Sequence, residues 1–577
     1  MSVKINNKLV RWQTGQTILA VAEANGFAVP TLCHHPDLKV QANCRICVVE
    51  IKGRSNLATA CSTQVEDGMQ IFTDSERVRK ARLLNLELIF AEHELKCADC
   101  TFRFDCELLK LASKYKIKIN RFAPRKSKRP VYKFANAVEI DGSQCIDCRN
   151  CIEACSTIQK INYLEISGRG IGQEVAPVRD KKTACIYCGQ CALHCPVASA
   201  QEQYQGDLLE KALQDKKKIV VAQFAPSVRV ALGEEFGLPY GENCEGKIVS
   251  ALKKLGCQQV FDVNFGADLT TIVEAEELLE RLHDKKAVFP MMTSCCPAWV
   301  AYVEFYHPEL IPNLTTSRSP HIHLAGAIKS YWAEKKGVKP ENIILVSVMP
   351  CTAKKYEASR KELFWKGGPL VDIVLTTREI AYLIKKNRID FAKLKDSASD
   401  RLFNSGTGAA AIYGASGGVM ESALRTANSL ICASSRDKNC ESRLEFTEVR
   451  GLKGFKEAKV NLGGHKLKVG VVNGIGNIGK VISKLKNYHY IEVMTCPGGC
   501  LGGGGQPIPT TREIRQKRLD GLYKIDKNRP LRRAHENKEM IKYYEFAKKN
   551  KLTNQLIYTK FHKSTGSALK LTKPKGK

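Results

Sequence analysis

Two cysteine runs with identical spacing constrain the fold of this chain more than any other feature. The pattern Cys-x2-Cys-x2-Cys-x3-Cys occurs at residues 145–155 and again at 185–195, where Pro196 follows it. Thiolates at this spacing hold 4Fe-4S cubes, and the fourth cysteine of each run ligates the other cube. The pattern therefore predicts two crossed ligand sets, with structural zinc as the alternative. One set is Cys145, Cys148, Cys151 and Cys195, and the other is Cys155, Cys185, Cys188 and Cys191.

A second group of cysteines lies near the N-terminus. Residues 1–75 alternate apolar and polar side chains as strands do, and they include a short helical segment that ends at Gly26. Four thiolates in this setting suit a 2Fe-2S cluster at a variant of the plant ferredoxin spacing. We expect a β-grasp domain of the plant-type ferredoxin class over residues 1–75, with a zinc site as the alternative. Its ligands would be Cys33, Cys44, Cys47 and Cys61.

Residues 76–125 are predicted to form a small helical domain with one more metal site. The candidate ligands are one histidine and three cysteines, namely His93, Cys97, Cys100 and Cys106. This spacing alone favours zinc, but the iron-sulfur motifs on both sides favour a third accessory 4Fe-4S cluster. The crossed repeat that follows is expected to form a domain similar to two-cluster bacterial ferredoxins over residues 126–205.

The composition indicates a metal-rich protein of a reducing compartment. The chain has 24 cysteines in 577 residues and starts without an apolar signal segment. No apolar run of about 18 residues is present, so no membrane span is expected. Dense cysteines in this context predict metal sites rather than disulfides, and a cytoplasmic location. Four cysteines belong to no motif and are expected to be small buried side chains, namely Cys244, Cys257, Cys432 and Cys440, although the last lies in a polar stretch.

Charge gives a weaker indication about partners. The formal charge of +31 favours an acidic partner, although a solvated lysine-rich surface explains it equally well. No basic recognition motif with interleaved aromatic residues is present, so nucleic-acid binding is not expected.

Residues 206–577 are predicted to form a large α/β domain with mainly parallel strands, because apolar strand-like runs alternate with helical segments. Three cysteine loops follow such runs: MMTSCCPAW at 291–299, MPCTAKKYEA around Cys351, and MTCPGGCLGGGGQP around Cys496 and Cys500. Neighbouring side chains diverge, so Cys295 and Cys296 are expected to have different tasks. The basic, cysteine-free segment from about residue 510 is expected to pack around this domain as a belt.

The three loops together closely resemble the three signatures of the iron-only (FeFe) hydrogenases. The order of the preceding modules is similar to that of the larger monomeric, ferredoxin-linked members, and the resemblance extends over essentially all 577 residues. It implies an H-cluster, in which a 4Fe-4S cube is bridged to a two-iron unit with carbonyl, cyanide and azadithiolate ligands. The implied cube ligands are Cys296, Cys351, Cys496 and Cys500, the last of which would also bridge to the two-iron unit.

The resemblance also implies contacts around the two-iron unit. Lys354 resembles the lysine that hydrogen-bonds one cyanide. Ala225, Pro226 and Ser227 match the positions that contact the other cyanide. Met349 and Met494 match packing positions around the irons. Composition alone would assign both methionines to core filling.

A proton path is the task that the resemblance implies for Cys295. A thiol beside the two-iron unit suits the inner end of such a path. Glu274, Glu277 and Arg281 lie at i, i+3 and i+7, on one helix face. That pattern by itself is more typical of a solvated charged face, but these positions match the proton-path residues of the family. Thr315 stands where the path has a serine and keeps the hydroxyl.

Three positions depart from the family pattern. Ala298 stands where glycine is usual, His321 where glutamine is usual, and Tyr413 where phenylalanine is usual. The last two would place new polar groups beside the two-iron pocket. We expect these departures to tune potential, catalytic bias or oxygen response.

The function expected from the resemblance is reversible reduction of protons to H2, with electrons from an acidic ferredoxin or flavodoxin. A monomer is expected, with maturation proteins supplying the two-iron unit. A first alternative is the hydrogenase subunit of an electron-bifurcating NAD-linked complex, against which the cysteine-free tail argues. A second alternative is a non-catalytic iron-sulfur carrier or sensor.

Overall fold

A computed structural model of the chain describes residues 2–93, 97–98, 100–118, 121–180, 182–403, 406–434, 440, 443–566 and 569–572. No helix within these ranges combines the length and the apolar content that a membrane span requires.

The N-terminal region is a mixed sheet packed on a short helix. Its elements are β1 (Ser2–Ile5), β2 (Lys8–Arg11), α1 (Ile18–Ala24), β3 (Val48–Ile51), β4 (Ala58–Thr59) and β5 (Gln70–Phe72). The strand order is β2-β1-β5-β3-β4, and β1 runs parallel to β5. Thr17 begins α1 by accepting a hydrogen bond from the amide of Ala20 at 3.2 Å. Apolar side chains of the strands, such as Ile5 and Ile71, close the core beneath this helix.

Two helices follow, α2 (Glu76–His93) and α3 (Glu107–Tyr115). They are joined to the first region through Arg82, which is only 2% exposed. Its guanidinium donates to the carbonyls of Ile46 at 3.0 Å and Val48 at 2.8 Å, and to the Tyr115 hydroxyl at 3.1 Å. One buried cation therefore holds α2, α3 and the start of β3 together.

The sequence repeat is also a repeat of backbone conformation. The elements here are β6 (Val131–Phe134), β7 (Val138–Asp141), α4 (Asn150–Glu153), β8 (Leu164–Ser167), β9 (Glu174–Pro177), α5 (Gln190–Leu193) and β10 (Ala200–Glu202). Arg149 before α4 and Gly189 before α5 both have left-handed backbone angles. A side chain at position 189 would also lie 2.4 Å from the Thr352 hydroxyl, so this turn requires glycine. The close approach brings the second half of the repeat against the large α/β region.

The large region contains two sheets. Its helices and strands up to the last cysteine loop are α6 (Gly206–Gln214), β11 (Ile219–Phe224), α7 (Glu245–Lys254), β12 (Gln259–Asp262), α8 (Asn264–His283), β13 (Met291–Met292), α9 (Pro297–Tyr306), α10 (Pro320–Ala327), α11 (Ala333–Lys336), β14 (Ile343–Met349), α12 (Ala353–Ala358), β15 (Ile373–Thr376), α13 (Thr377–Lys386), α14 (Gly408–Ala411), α15 (Gly418–Ser434), β16 (Phe455–Leu462), β17 (His465–Asn473) and β18 (Tyr490–Met494). One sheet, β12-β11-β14-β15, is fully parallel, and in the other, β13-β18-β17-β16, only β16 is antiparallel. The prediction of mainly parallel strands therefore agrees with the structure.

The C-terminal segment packs along the large region and then returns to the repeat. It contains α16 (Arg512–Asn528), α17 (Lys538–Lys549), α18 (Thr553–Leu556) and β19 (Leu569–Thr572). Helix α16 packs on α14, and α17 packs on α8. Strand β19 pairs antiparallel with β6, so the sheet of the repeat has the order β10-β7-β6-β19.

The expectation for two of the motif-free cysteines is wrong. Cys432 and Cys440 form a disulfide and are partly exposed. Their Cα atoms lie 5.3 Å apart, which is within disulfide range. Cys244 and Cys257 are free and buried, as predicted.

A buried ion pair joins the repeat to the large region. Glu202, at the end of β10, is fully buried and pairs with Arg378 of α13. Arg378 also donates to the carbonyls of Gly504 at 2.8 Å and Gln506 at 2.7 Å, in the last cysteine loop. The pair therefore sets the position of that loop relative to the repeat.

We expect Glu202→Gln to destabilise this junction, because it leaves the Arg378 guanidinium buried without a counter-charge, at a cost of about 3–5 kcal/mol. The midpoint of anaerobic thermal unfolding should fall by several degrees. The matched control is Glu210→Gln, which breaks an exposed pair with Lys386 and should cost less than about 1 kcal/mol. Equal midpoints for both variants would contradict a role for Glu202 in holding the junction.

Candidate active site and cluster sites

Three cysteine loops meet at one buried cleft at the carboxyl ends of the strands of both sheets. Cys295 and Cys296 follow β13, Cys351 follows β14, and Cys496 follows β18. All four, together with Cys500, line a cleft of about 740 Å³. Strand ends of parallel sheets are where α/β folds place their ligands, and their rigid strands fix the loops.

The last cysteine loop passes very close to the second one. A side chain on Gly503 would lie 2.3 Å from the carbonyl oxygen of Pro350, next to Cys351. The glycine-rich sequence therefore allows the two loops to present their thiols to the same space. On the third side, Cys296 precedes α9, with Pro297 as the first helical residue.

The cleft thiols of Cys351 and Cys496 are poor acids in the protein alone. Burial raises the pKa of Cys351 to about 12, and negative charge on Cys296 acts in the same direction. Burial and the charges of Cys351, Cys296 and Cys500 also raise the pKa of Cys496. Thiols grouped in this way are stable as thiolates only with a bound cation, and soft thiolate donors suit iron. The donor set therefore fits a cube-type cluster.

The other walls of the cleft consist of the residues predicted around the two-iron unit. Apolar groups dominate, and the polar groups are few and confined to particular positions. The predicted residues that line the cleft are Ala225, Pro226, Ser227, His321, Met349, Lys354, Tyr413 and Met494. Ala298, the third departure, is buried in the first turn of α9.

Lys354 is held by an acidic residue that the sequence analysis missed. Its ammonium group donates to Glu357 Oε2 at 2.7 Å and to the carbonyl of Cys295 at 3.1 Å. His321 Nε2 lies 2.6 Å from the same carboxylate oxygen. Burial alone would raise the pKa of Glu357, but the charge of Lys354 and contact with His321 lower it to about 2. Lys354 is thus a cation at the cleft wall whose counter-charge lies behind it.

The predicted proton-path residues lie in two connected groups. The inner group is buried: Thr315 Oγ1 donates to Glu274 at 3.2 Å, and Ser294 Oγ lies 2.8 Å from Thr315 Oγ1. Tyr490 donates to the other oxygen of Glu274 at 2.8 Å. Burial raises the pKa of Glu274 to about 8, so this carboxyl group is largely protonated at neutral pH. Burial also raises the pKa of Cys295 well above its usual value.

The outer group reaches the surface. Arg281 pairs with Glu277 at 2.6 Å, and both side chains are partly exposed. Glu277 accepts from the amide of Thr316 at 2.9 Å, next to Thr315. The helix face predicted from i, i+3 and i+7 spacing is therefore formed on α8, with its buried end towards the cleft and its exposed end towards solvent.

The repeat encloses two small cavities, and each contains one crossed cysteine set. A cavity of about 310 Å³ is lined by Cys145, Cys148, Cys151 and Cys195. A cavity of about 410 Å³ is lined by Cys155, Cys185, Cys188 and Cys191. The fourth cysteine of each run therefore lies with the other run, as the spacing predicts.

The N-terminal thiols also lie together in pairs. Cys47 Sγ is 3.3 Å from Cys61 Sγ, and a hydrogen bond between Cys33 and Cys44 raises the pKa of the first and lowers that of the second. Charge on Cys44 acts to raise the pKa of Cys47 and of Cys61, so the two pairs lie in one site.

His93 has the orientation of a metal-ligating imidazole. Its Nδ1 lies 2.9 Å from the carbonyl of Gln144, which leaves Nε2 with the lone pair, as is typical of metal ligands. Charges on Cys97 and Cys106 raise the pKa of Cys100, so these thiols are neighbours. Residues 94–96 and 99, between these candidate ligands, lie outside the described part of the chain.

The cysteine groups follow one another towards the cleft. Asn43 donates to the carbonyl of Asp147 at 3.3 Å, and His93 Nδ1 lies 2.9 Å from the carbonyl of Gln144, so the repeat adjoins both N-terminal sites. The last cysteine loop adjoins the repeat at Cys188, because a side chain on Gly504 would lie 2.3 Å from the Cys188 carbonyl. Two hydrogen bonds close this last junction, from Gln190 to the Gly502 carbonyl at 2.9 Å and from Thr352 to the Tyr187 carbonyl at 2.8 Å.

Four functional neighbours were absent from the sequence prediction. Glu357 lies three residues after Lys354 on α12, a spacing that could have indicated the ion pair. Ser294 directly precedes Cys295 and carried a weaker local signal. Tyr490 and Gln190 are distant in sequence from the groups they contact, so no local pattern identifies them.

Three family models match this chain. Residues 218–504 match the C-terminal domain of the iron-only hydrogenase large subunit, residues 1–76 match a 2Fe-2S iron-sulfur cluster binding domain, and residues 512–564 match the iron hydrogenase small subunit.

Known proteins are similar over nearly the whole chain. The NADP-reducing hydrogenase subunit HndD of Solidesulfovibrio fructosivorans is 39% identical over 98% of this chain and 99% of its own length. Iron hydrogenase 1 of Clostridium pasteurianum is 38% identical over 94% of this chain and 96% of its own length. A solved apo FeFe hydrogenase variant from Chlamydomonas reinhardtii matches with a TM-score of 0.54 and 35% identity, over 62% of this chain and 98% of that one.

The shared loops, the cleft they form and this similarity over nearly the full length show that the chain belongs to the iron-only (FeFe) hydrogenase family.

Proposed function

We propose that this chain catalyses the reversible reduction of protons to H2 in the cleft formed by the three cysteine loops. The observation that supports this most strongly is the composition of that cleft. Four thiols from three strand ends, one lysine with a buried counter-charge and one additional thiol, Cys295, surround an otherwise largely apolar space of about 740 Å³. A non-catalytic electron carrier has no need of an additional apolar space beside the thiols that hold its cluster.

Four thiolates would hold the cube of the H-cluster: Cys296, Cys351, Cys496 and Cys500. Cys500 would also be the one protein bond to the two-iron unit, so the cleft walls must orient that unit. The two-iron unit supplies redox-active iron at which H2 is formed or split. Lys354 would donate a hydrogen bond to one cyanide, and residues 225–227 after β11 would contact the other. The apolar walls would exclude bulk water from the reacting side.

Protons would reach the cleft through side chains of α8 and the neighbouring loops. Cys295 keeps its proton at neutral pH because burial raises its pKa, and it would serve as the inner donor. Glu274, with a pKa of about 8, can both hold and release a proton near neutral pH. Thr315 bonds to Glu274, and Glu277 with Arg281 forms the end exposed to solvent.

Electrons would enter through the N-terminal clusters and converge on the repeat. The 2Fe-2S site would adjoin the cube near Cys148, where Asn43 bonds to the Asp147 carbonyl, and the His93 site would adjoin the same cube near Cys145, where His93 contacts the Gln144 carbonyl. The cube held by Cys155, Cys185, Cys188 and Cys191 would pass electrons to the cleft, because Gln190 beside it bonds to the Gly502 carbonyl of the last cysteine loop at 2.9 Å. These sites would give one 2Fe-2S cluster, three accessory 4Fe-4S clusters and the H-cluster.

Two kinds of electron partner fit the chain. An acidic ferredoxin or flavodoxin would be attracted by the charge of +31, and this docking should weaken as salt rises. The second candidate is another subunit of an NADP-linked complex to which this chain would belong. A relative of this chain that is named as a subunit of an NADP-reducing hydrogenase is matched over 99% of its length. The cysteine-free segment from about residue 510 therefore does not separate the two candidates. A cytoplasmic monomer served by maturation proteins fits the first candidate.

The proposed reaction is tested by anaerobic H2 evolution from a reduced one-electron donor. Protein produced with hydrogenase maturation proteins should evolve H2, and Cys351→Ser should abolish the activity because a cube ligand is lost. The control Cys257→Ala changes a buried cysteine outside all motifs and should keep the activity. Matured wild-type protein that neither evolves nor consumes H2 would contradict the proposal.

Glu274→Gln should lower the rates of H2 evolution and uptake by about 10²–10⁴-fold, because an amide cannot carry the proton. The wild-type rate of H2 evolution should also fall as pH rises through about 8, where Glu274 loses its proton, and the variant should lack this dependence. Glu280→Gln, on the exposed side of the same helix, is the matched control. A wild-type rate and pH profile in Glu274→Gln would exclude the carboxyl group from the path.

Cys188→Ser should separate electron supply from the chemistry in the cleft. Loss of this thiolate should impair the cube next to the cleft and sharply reduce donor-driven H2 evolution. Exchange of H2 with deuterated water needs no external electrons and should continue. Parallel loss of both activities, with an intact H-cluster by spectroscopy, would contradict the assigned electron path.

A further inference from the structure

A continuous chain of hydrogen bonds runs behind one wall of the cleft. Gln223 Nε2 donates to the carbonyl of His321 at 2.9 Å and to Ser347 Oγ at 2.5 Å. Ser347 Oγ lies 3.3 Å from His321 Nδ1, and His321 Nε2 lies 2.6 Å from Glu357 Oε2. Glu357 then accepts from Lys354. All five side chains are buried.

The donors and acceptors in this chain determine the proton positions on His321. Ser347 Oγ accepts from Gln223, so its own hydrogen is available for His321 Nδ1. That ring nitrogen is then an acceptor, and the ring proton lies on Nε2, where it donates to Glu357. His321 is therefore a neutral imidazole with a fixed tautomer. Burial and the nearby charge of Lys354 lower its pKa, which favours the same neutral state.

Glu357 has an alternative environment on its other side. It also borders a separate cavity of about 310 Å³, which Arg360 and Ser319 line as well. Ser319 Oγ is buried without a hydrogen-bond partner among the described residues. A carboxylate released from His321 could turn towards the unpartnered hydroxyl of Ser319 on this side. Lys354 would then lose the counter-charge that orients its ammonium group.

We propose that His321 and Glu357 are positioning residues that fix the ammonium group of Lys354 at the cleft wall. This inference rests on the proposed function, because the group that Lys354 would contact is a cyanide of the two-iron unit. His321 Nε2 donates to Glu357 Oε2, and the same oxygen accepts from Lys354. The Cys295 carbonyl also accepts from Lys354 and completes the orientation of its ammonium group. The hydrogen bond from Lys354 to the cyanide therefore depends on a histidine that does not itself need to touch the cluster.

The test compares the infrared cyanide and carbonyl bands of matured, anaerobic protein. His321→Leu removes the donor to Glu357, and Glu357→Gln removes the counter-charge. Both should shift a cyanide band and lower H2 evolution roughly 10–100-fold, the usual effect of losing an outer-shell partner. His321→Gln keeps an N–H donor for Glu357 and should largely restore the wild-type band and rate.

The matched control is Glu379→Gln. It breaks a fully buried lysine–glutamate pair with Lys355, the residue next to Lys354, at 2.9 Å, and Lys355 does not line the cleft. This variant should be destabilised but keep the wild-type band positions. If His321→Leu and Glu357→Gln have wild-type cyanide bands, or shifts equal to that of the control, the inference is wrong. If wild-type matured protein has no such bands, the proposed function itself fails, and the inference fails with it.

Discussion

Metal–thiolate coordination is the interaction on which this architecture depends. In the repeat, two sets of four thiols each surround a small cavity. Helix α5 is a single turn of four residues and cannot bury enough apolar surface to be stable alone. Burial raises the pKa values of Cys148 and Cys151, and the charges of neighbouring thiols act in the same direction. The proposed clusters would therefore supply positive charge and folding free energy to this region.

The large α/β region brings four thiols from distant parts of the chain to the walls of one cleft. Parallel strands of two sheets end at the same cleft, and each cysteine loop begins at a strand end. Gly189 and Gly503 then remove the side chains that would keep the repeat and the loops apart. Short distances between successive sites, which electron transfer requires, therefore follow from backbone packing rather than from any single long-range contact.

Local spacing carried much of what could be predicted from the sequence. The crossed cysteine sets, the loops after strands and the face of α8 all follow from intervals of two to seven residues, and the structure places these residues together. The contacts that orient them are different in kind. Tyr490 bonds to Glu274 across 216 positions and Gln190 to Gly502 across 312, so only the assembled fold reveals them. The pairing of β19 with β6, like the disulfide of Cys432, depends on where the chain returns.

The most direct measurement is an anaerobic infrared spectrum of protein produced with hydrogenase maturation proteins, beside the same protein produced without them. The cleft described here should accept the two-iron unit, so sharp carbonyl and cyanide bands should appear in the matured sample alone. Absence of these bands, despite full iron loading of the accessory clusters, would show that the cleft does not bind the two-iron unit and that the chain is an electron carrier.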